Sequence, residues 1–226
     1  APGAPVDRPY DVAGWTLPLQ MNVKVDRVDQ YFEPPPTTRL DRATIAPARV
    51  WGDAGRPAFY VIDGRGNGAS LAVNRLLKAG AQVSWLAAPM TVQGYTYEAG
   101  ALIVTEAKGV RIAVEAVARD LGLRVTAVDA KPQQGAQPLG RARIGLYKPW
   151  VESIDEGWTR WLLEQYEFPF ENVTDADIRR GSLRTRFDAI VIPDQGAERL
   201  IAGHPAGTMP PEYVGEKRFS TMTGNA

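Results

Sequence analysis

The stretch Ala58–Trp85, AFYVIDGRGNGASLAVNRLLKAGAQVSW, runs an apolar segment into a glycine-rich loop and on into a helix-patterned segment. Phe59, Tyr60, Val61 and Ile62 are strand formers, and strand, loop, helix in that order is the building unit of α/β proteins. Gly64, Gly66 and Ala69 also fit the G-x-G-x-x-G/A fingerprint of dinucleotide sites. Such a site usually places an acid ~20 residues on, where it holds the ribose hydroxyls. That place here reads Ser84-Trp85-Leu86-Ala87-Ala88, and no acid occurs between Asp63 and Glu98. Asp63 also sets a negative charge at the mouth of the loop, where a phosphate would approach. The loop is expected to be a turn, and no residue of the chain is assigned to cofactor binding.

The same alternation continues outward from this stretch. Candidate strands are Ala58–Ile62, Gln82–Leu86, Ala101–Thr105, Arg124–Val128, Arg143–Tyr147 and Asp188–Ile192. Candidate helices are Ser70–Ala79, Val110–Leu121, Ile154–Tyr166 and a shorter one near Ala197–Ala202. In the second helix Val110, Val114, Val117 and Leu121 recur at helical spacing. In the third, Ser153 and Glu156 have capping-box spacing, and Trp158, Trp161 and Leu162 are expected to form a buried stripe. Alternation of this kind predicts an α/β fold with a mostly parallel sheet covered by helices. Residues 1–55 are rich in proline, as in Glu33–Val50, EPPPTTRLDRATIAPARV, and predict an extended arm packed on a domain surface. Within that arm Met21–Val28, MNVKVDRV, alternates like a strand. Residues 56–226 are then one α/β domain, divisible into βα units at 56–130 and 141–226. A faint internal repeat sets Ile144 against Phe59 and Arg160 against Arg75.

Composition narrows the chemistry. The chain has 226 residues, with 26 basic and 26 acidic side chains. That balance supplies no general field to draw in nucleic acid or an anionic membrane, so neither is expected as a partner. No apolar run approaches the ~20 residues that span a bilayer. The opening APGAPVDRPYD lacks the basic and apolar regions of a signal peptide, and reads as a linker or a cut end. There is no cysteine, which excludes disulfides, thiolate metal sites and a thiol nucleophile.

No catalytic set assembles from the remaining residues. There is no G-x-S-x-G elbow, and the single histidine, His204, cannot supply a His-x-x-Glu…His zinc site. Asp155–Glu156 and Asp175/Asp177 sit at expected helix starts, where carboxylates favour the positive end of the helix dipole. Arg179, Arg180, Arg184 and Arg186 read as a solvated face in preference to a phosphate dock. No residue is therefore assigned as catalytic or as a metal ligand. In α/β folds ligands gather at the carboxyl ends of strands, and this singles out Asp63, Tyr147, Trp150 and Asp194 as a candidate cleft.

Arg143–Gln195, RIGLYKPWVESIDEGWTRWLLEQYEFPFENVTDADIRRGSLRTRFDAIVIPDQ, resembles the C-terminal region of bacterial proteins of the zinc carboxypeptidase family, the carboxypeptidase A-like metallopeptidases. In those proteins a class I glutamine amidotransferase-like domain follows the peptidase domain. The segments DEGWTRWLLEQY, TDADIR and IPDQ carry the resemblance. Arg8–Met21 (RPYDVAGWTLPLQM), Asn74–Val83 (NRLLKAGAQV) and Thr208–Gly215 (TMPPEYVG) extend it. It implies an amidotransferase-like, flavodoxin-like fold with helices on both faces of the sheet. It also implies that zinc and peptide hydrolysis belong to a peptidase domain on the same parent chain, and that the parent is an exported bacterial hydrolase. This chain holds no counterpart of the peptidase motifs or of the glutaminase cysteine. After PPEYVG it departs from the family, ending in EKRFSTMTGNA. The function expected is a non-catalytic accessory domain of a zinc metallocarboxypeptidase. The alternative is a free-standing α/β protein that binds a small molecule at its strand ends.

Overall fold

The computed structural model describes residues 24–42, 45–52, 55–129, 135–216 and 220–223. The chain divides into two compact units, the first running to Pro138 and the second beginning at Leu139. Both mix strands with helices, so the architecture is α/β.

The first unit is organised by β2 (Phe59–Ile62), all four of whose residues are buried. The other strands of its six-stranded sheet are β1 (Val50–Trp51), β3 (Val83–Leu86), β6 (Leu102–Thr105), β7 (Val125–Val128) and β8 (Ala136–Leu139). Two strands, β4 (Met90–Val92) and β5 (Tyr95–Tyr97), pair as a separate hairpin. The sheet order is β1-β7-β2-β6-β3-β8. β2 runs antiparallel to both of its neighbours, β6 and β7, and β3 runs antiparallel to β6. Only β1 with β7 is parallel among the register-defined pairs of this sheet.

The mostly parallel sheet expected from the alternation therefore gives way here to a mixed one. The reason lies in how two crossovers interlock. Helix α1 (Gly68–Lys78) links β2 to β3, and α2 (Val110–Leu121) links β6 to β7. Each joins two strands that point the same way, and each leaves a gap filled by a strand of the other crossover. The result is the split β-α-β arrangement, β-α-β-β-α-β, also called ferredoxin-like. The reversal comes between β3 and β6, where no helix intervenes and the β4–β5 hairpin is inserted.

The hairpin also decides what covers the sheet. Phe59 and Val61 cluster with Leu86, Tyr97, Ala101 and Ile103, and Met90, Val92 and Tyr95 of the hairpin pack against them. Alternation along the strand turns Tyr60 and Ile62 to the opposite face. α1 and α2 pack together, burying Ala69, Ala72 and Leu76 from one and Val110, Val114, Val117 and Ala118 from the other. Gln93 and Gly94 both have positive φ, 49° and 76°, which is the twist-matched geometry of a two-residue hairpin turn.

The second unit is parallel throughout. Its sheet of β9 (Ile144–Tyr147), β10 (Phe170–Val173) and β11 (Ala189–Val191) has the order β10-β9-β11. Helix α3 (Ile154–Gln165) links β9 to β10. α4 (Asp175–Arg180) and α5 (Leu183–Arg186) lie between β10 and β11, and α6 (Ala197–Ala202) and α7 (Pro211–Val214) follow. The repeat read between Phe59 and Ile144 is thus local only: both strands lead into a helix, but β2 sits between antiparallel neighbours and β9 between parallel ones.

Three expectations are corrected. Trp158, Trp161 and Leu162 do not form a buried stripe; they are 62%, 49% and 50% exposed. The arm is exposed over residues 24–42, while its later part meets the first unit, with Ile45 and Ala46 against Gly122 and Val50–Trp51 paired with β7 as β1. Of the strand read at Met21–Val28, residues 24–28 are irregular, and Met21, Asn22 and Val23 lie outside the described residues, as does Arg8–Met21.

The exposure difference within the second unit sets a clear test. Leu146→Ala, at a position fully buried on β9, is expected to cost about 2–5 kcal/mol. Trp158→Ala is expected to change stability by no more than about 0.5 kcal/mol despite the larger deletion. Urea unfolding of the two variants measures both.

Candidate functional site

The glycine loop after β2 is built for close packing. A Cβ at Gly64 would lie 2.2 Å from the carbonyl oxygen of Gly100, so only glycine lets the two backbones approach. At Gly66, the position that would meet a pyrophosphate in a dinucleotide fold, a Cβ would have open space around it. Asp63 does not stand alone at the mouth. Arg65 donates to it from Nε at 3.1 Å and from Nη2 at 2.8 Å, and the Tyr95 hydroxyl donates at 2.7 Å. Burial pushes the Asp63 carboxyl up, but the hydrogen bonds from Arg65 and Tyr95 outweigh it and hold the group below its ordinary value. The Arg124 guanidinium stacks 4.1 Å from the centre of the Tyr95 ring. This cluster ties the β4–β5 hairpin to the loop. Together with the antiparallel neighbours of β2, it supports reading the loop as a structural turn.

Of the four cleft residues, Asp63 belongs to the first unit, and Tyr147, Trp150 and Asp194 to the second. Tyr147 ends β9 with its side chain 1% exposed. Its hydroxyl donates to Asp175 Oδ1 at 2.7 Å. Asp175, the first residue of α4, is itself only 4% exposed. Burial raises its pKa, against the opposing effects of the Tyr147 hydrogen bond and the Arg179 charge. Burial likewise raises the Tyr147 phenol, helped by the Asp175 carboxyl. Trp150 follows β9 and is half exposed, with Nε1 donating to the Tyr213 carbonyl at 3.2 Å. Gly215 lies against the indole, where a Cβ would come within 2.6 Å of Nε1.

At the carboxyl ends of β9 and β10 these residues border a cleft of about 520 Å³. Lys148, Pro149 and Trp150 form one wall, and Thr174, Asp175, Ala176 and Arg179 the other. The size and the mix of an apolar lining with a few polar groups are those of small-molecule sites. Trp150 therefore lines the cleft, Tyr147 hydrogen-bonds its single lining carboxyl, Asp175, and Asp194, exposed after β11, is not part of the lining. Lys148 and Asp175 were not among the cleft residues expected. The signal for both was present, since each lies at a strand's carboxyl end, but Asp175 was read only as a helix-start acid.

The helix-start reading of the acids is accurate in position. Asp155 and Glu156 lie in the first turn of α3, and Asp175 and Asp177 in that of α4. Ser153 accepts the Glu156 N–H, while the Glu156 carboxylate bonds Arg160 instead of closing a capping box. The full box forms at α4, where Thr174 Oγ1 accepts the Asp177 N–H and Asp177 accepts the Thr174 N–H at 3.0 Å. Those bonds from Thr174, with others from Arg186 and Arg180, hold the Asp177 carboxyl far below its ordinary value. The arginine run is largely used internally: Arg180 and Arg186 bond Asp177, and Arg179 donates to the Thr221 carbonyl. His204 lies in the loop after α6.

Two outcomes follow for these loops. Gly64→Ala is expected to destabilise the first unit, while Gly66→Ala is neutral or stabilises by about 0.4–1 kcal/mol through the unfolded chain; thermal unfolding distinguishes the two. Asp177→Asn, which keeps an acceptor for the Thr174 N–H but removes the charge shared with Arg180 and Arg186, is expected to cost about 0.3–2 kcal/mol near pH 7. Because the folded-state pKa is depressed, this contribution is present above the unfolded value of about 3.9 and disappears as pH falls below it. Wild type and variant therefore converge in acid, as urea midpoints measured across pH would show.

No protein-family model, no curated protein and no solved structure matches this chain.

Proposed function

We propose that this chain is a non-catalytic, amidotransferase-like accessory domain that works beside a zinc carboxypeptidase domain of the same parent chain. The observation that carries this is how little of the second unit is closed. Among the described residues its buried hydrophobic core is Leu146, Tyr147, Val173 and Phe187. On α3, Ile154, Trp158, Trp161 and Leu162 recur at helical spacing and are all at least 49% exposed. Trp158 and Trp161 stack edge to face, 5.9 Å apart. An apolar face of this size marks a surface meant to be covered by another protein domain.

The flavodoxin-like part of the reading rests on the second unit. Its order, second strand, first strand, third strand, all parallel, is the opening of the flavodoxin-like sheet. Right-handed crossovers would then place α3 on one face and α4–α5 on the other. The segments that carry the family resemblance, DEGWTRWLLEQY, TDADIR and IPDQ, fall on α3, on the entry to α4 and after β11. The strand ends here offer Lys148, Thr174 and Pro193 in place of a thiol nucleophile. Zinc and peptide hydrolysis would reside in the peptidase domain, and the parent would be an exported bacterial hydrolase.

An immunoblot of source cells with an antibody to this chain tests the proposal. A band well above 24.7 kDa that carries zinc-dependent carboxypeptidase activity is expected. A single band at 24.7 kDa, or release of C-terminal residues by the isolated chain with zinc, would overturn it. The cleft at the ends of β9 and β10 favours a second reading, a small-molecule-binding unit. A thermal-shift screen with nucleotides, sugars, peptides and amino acids should then raise the melting temperature with at least one class, and no shift with any would count against it.

A further inference from the structure

The signs of the charges around the second unit's cleft select among ligands. Lys148 stands exposed on one wall, and among the described residues no carboxylate pairs with it. Asp175 also lines the cleft, as a nearly buried carboxyl, one oxygen of which is occupied by the Tyr147 hydroxyl. Between them lie the Trp150 indole, Pro149 and Ala176. The indole is fixed by its hydrogen bond to Tyr213 and by Gly215 packed against it, and yet remains 49% exposed. The lining thus combines an apolar surface with two cations, Lys148 and Arg179, and one acid, Asp175.

A neutral apolar ligand would bury the Lys148 ammonium without a partner and cover an Asp175 carboxyl whose hydroxyl partner, Tyr147, occupies only one oxygen, which costs free energy. A ligand with two negative charges would meet Asp175, and one with two positive charges would meet Lys148 and Arg179. A small molecule carrying one charge of each sign and an apolar body satisfies all three surfaces. We propose that the cleft binds a free amino acid, its ammonium group toward Asp175, its carboxylate toward Lys148 and its apolar side chain against Trp150. The inference rests on the small-molecule reading of this cleft and names the ligand class for it. A bound ammonium group would also relieve the desolvation that raises the Asp175 carboxyl.

Calorimetric titration of the whole chain with three probes tests the assignment, with the Trp150 indole N–H resonance as the local reporter. The probes are L-leucine, N-acetyl-L-leucine, which lacks the ammonium and mimics a peptide's C-terminal residue, and isoamylamine, which lacks the carboxylate. Leucine is expected to shift the Trp150 resonance and to bind at least tenfold more tightly than either truncated probe. Lys148→Gln, an exposed change, should bring leucine down to the affinity of isoamylamine and leave isoamylamine unaffected. Asp175→Asn should abolish the preference for leucine over its N-acetyl form. N-acetyl-leucine binding as well as leucine, or Lys148→Gln leaving leucine unchanged, would overturn the amino-acid assignment while the cleft reading stands. Failure of all three probes would also overturn it, and the cleft reading falls with it only if the wider thermal screen is silent as well.

Discussion

Four consecutive buried residues, Phe59–Ile62, constrain everything around them in the first unit. A strand with no exposed face must be covered twice, and each cover requires its own chain segment. The helices α1 and α2 supply one, the β4–β5 hairpin the other. Antiparallel pairing on both edges then fixes register: Phe59 lies opposite both Thr105 and Val128, and Ile62 opposite both Leu102 and Val125. A slip by one residue would exchange the hairpin-facing and helix-facing sets, Phe59 and Val61 for Tyr60 and Ile62. The close approach of Gly64 to Gly100 continues this locking past the strand end. Gly64 is thus explained by what it packs against.

Much of this was legible in the sequence because the helices and strands carry strong local patterns. α2 spans the residues that the recurrence of Val110, Val114 and Val117 marks out, between Gly109 and Gly122, both in the left-handed region. Strand direction was not legible in the same way. Each helical crossover correctly implied a parallel pair, but a local pattern does not say whether that pair is adjacent. The missing helix between Leu86 and Leu102 was the available sign of reversal, and Gln93-Gly94 between Met90–Val92 and Tyr95–Tyr97 was the sign of a hairpin. Both were overridden by the rhythm of the flanking units.

The candidate site was legible by position and only partly by residue. The apolar runs locate the strand ends, and Tyr147 and Trp150 stand at the end of β9. The place of Asp175 at a helix start is by itself enough to account for an acid there. The two explanations are compatible, and the structure divides them between neighbours. Asp177, two residues on, performs the capping and is held strongly ionised. Asp175 turns inward to Tyr147, where burial works against its charge. A carboxyl held against its own desolvation, next to a cleft, is the kind of group that a ligand's charge would stabilise.

The Trp-rich helix failed as a core prediction for an instructive reason. Helical spacing of apolar residues identifies a face that avoids water, and says nothing about which molecule covers it. On α3 the same residues that would make a core stripe, Trp158, Trp161 and Leu162, look outward, while the inward position is taken by Glu156, which bonds Arg160. Arg160 in turn reaches Asn172 of β10 and lies over the Phe170 ring. The helix is therefore attached to its own sheet partly through polar groups, and it keeps its largest apolar side chains exposed. Burying two tryptophans elsewhere would stabilise a contact more than packing Glu156 and Arg160 stabilises this one, since charged groups recover little beyond their own desolvation. On α3, then, the contacts toward the sheet are partly polar, while the largest apolar side chains face outward.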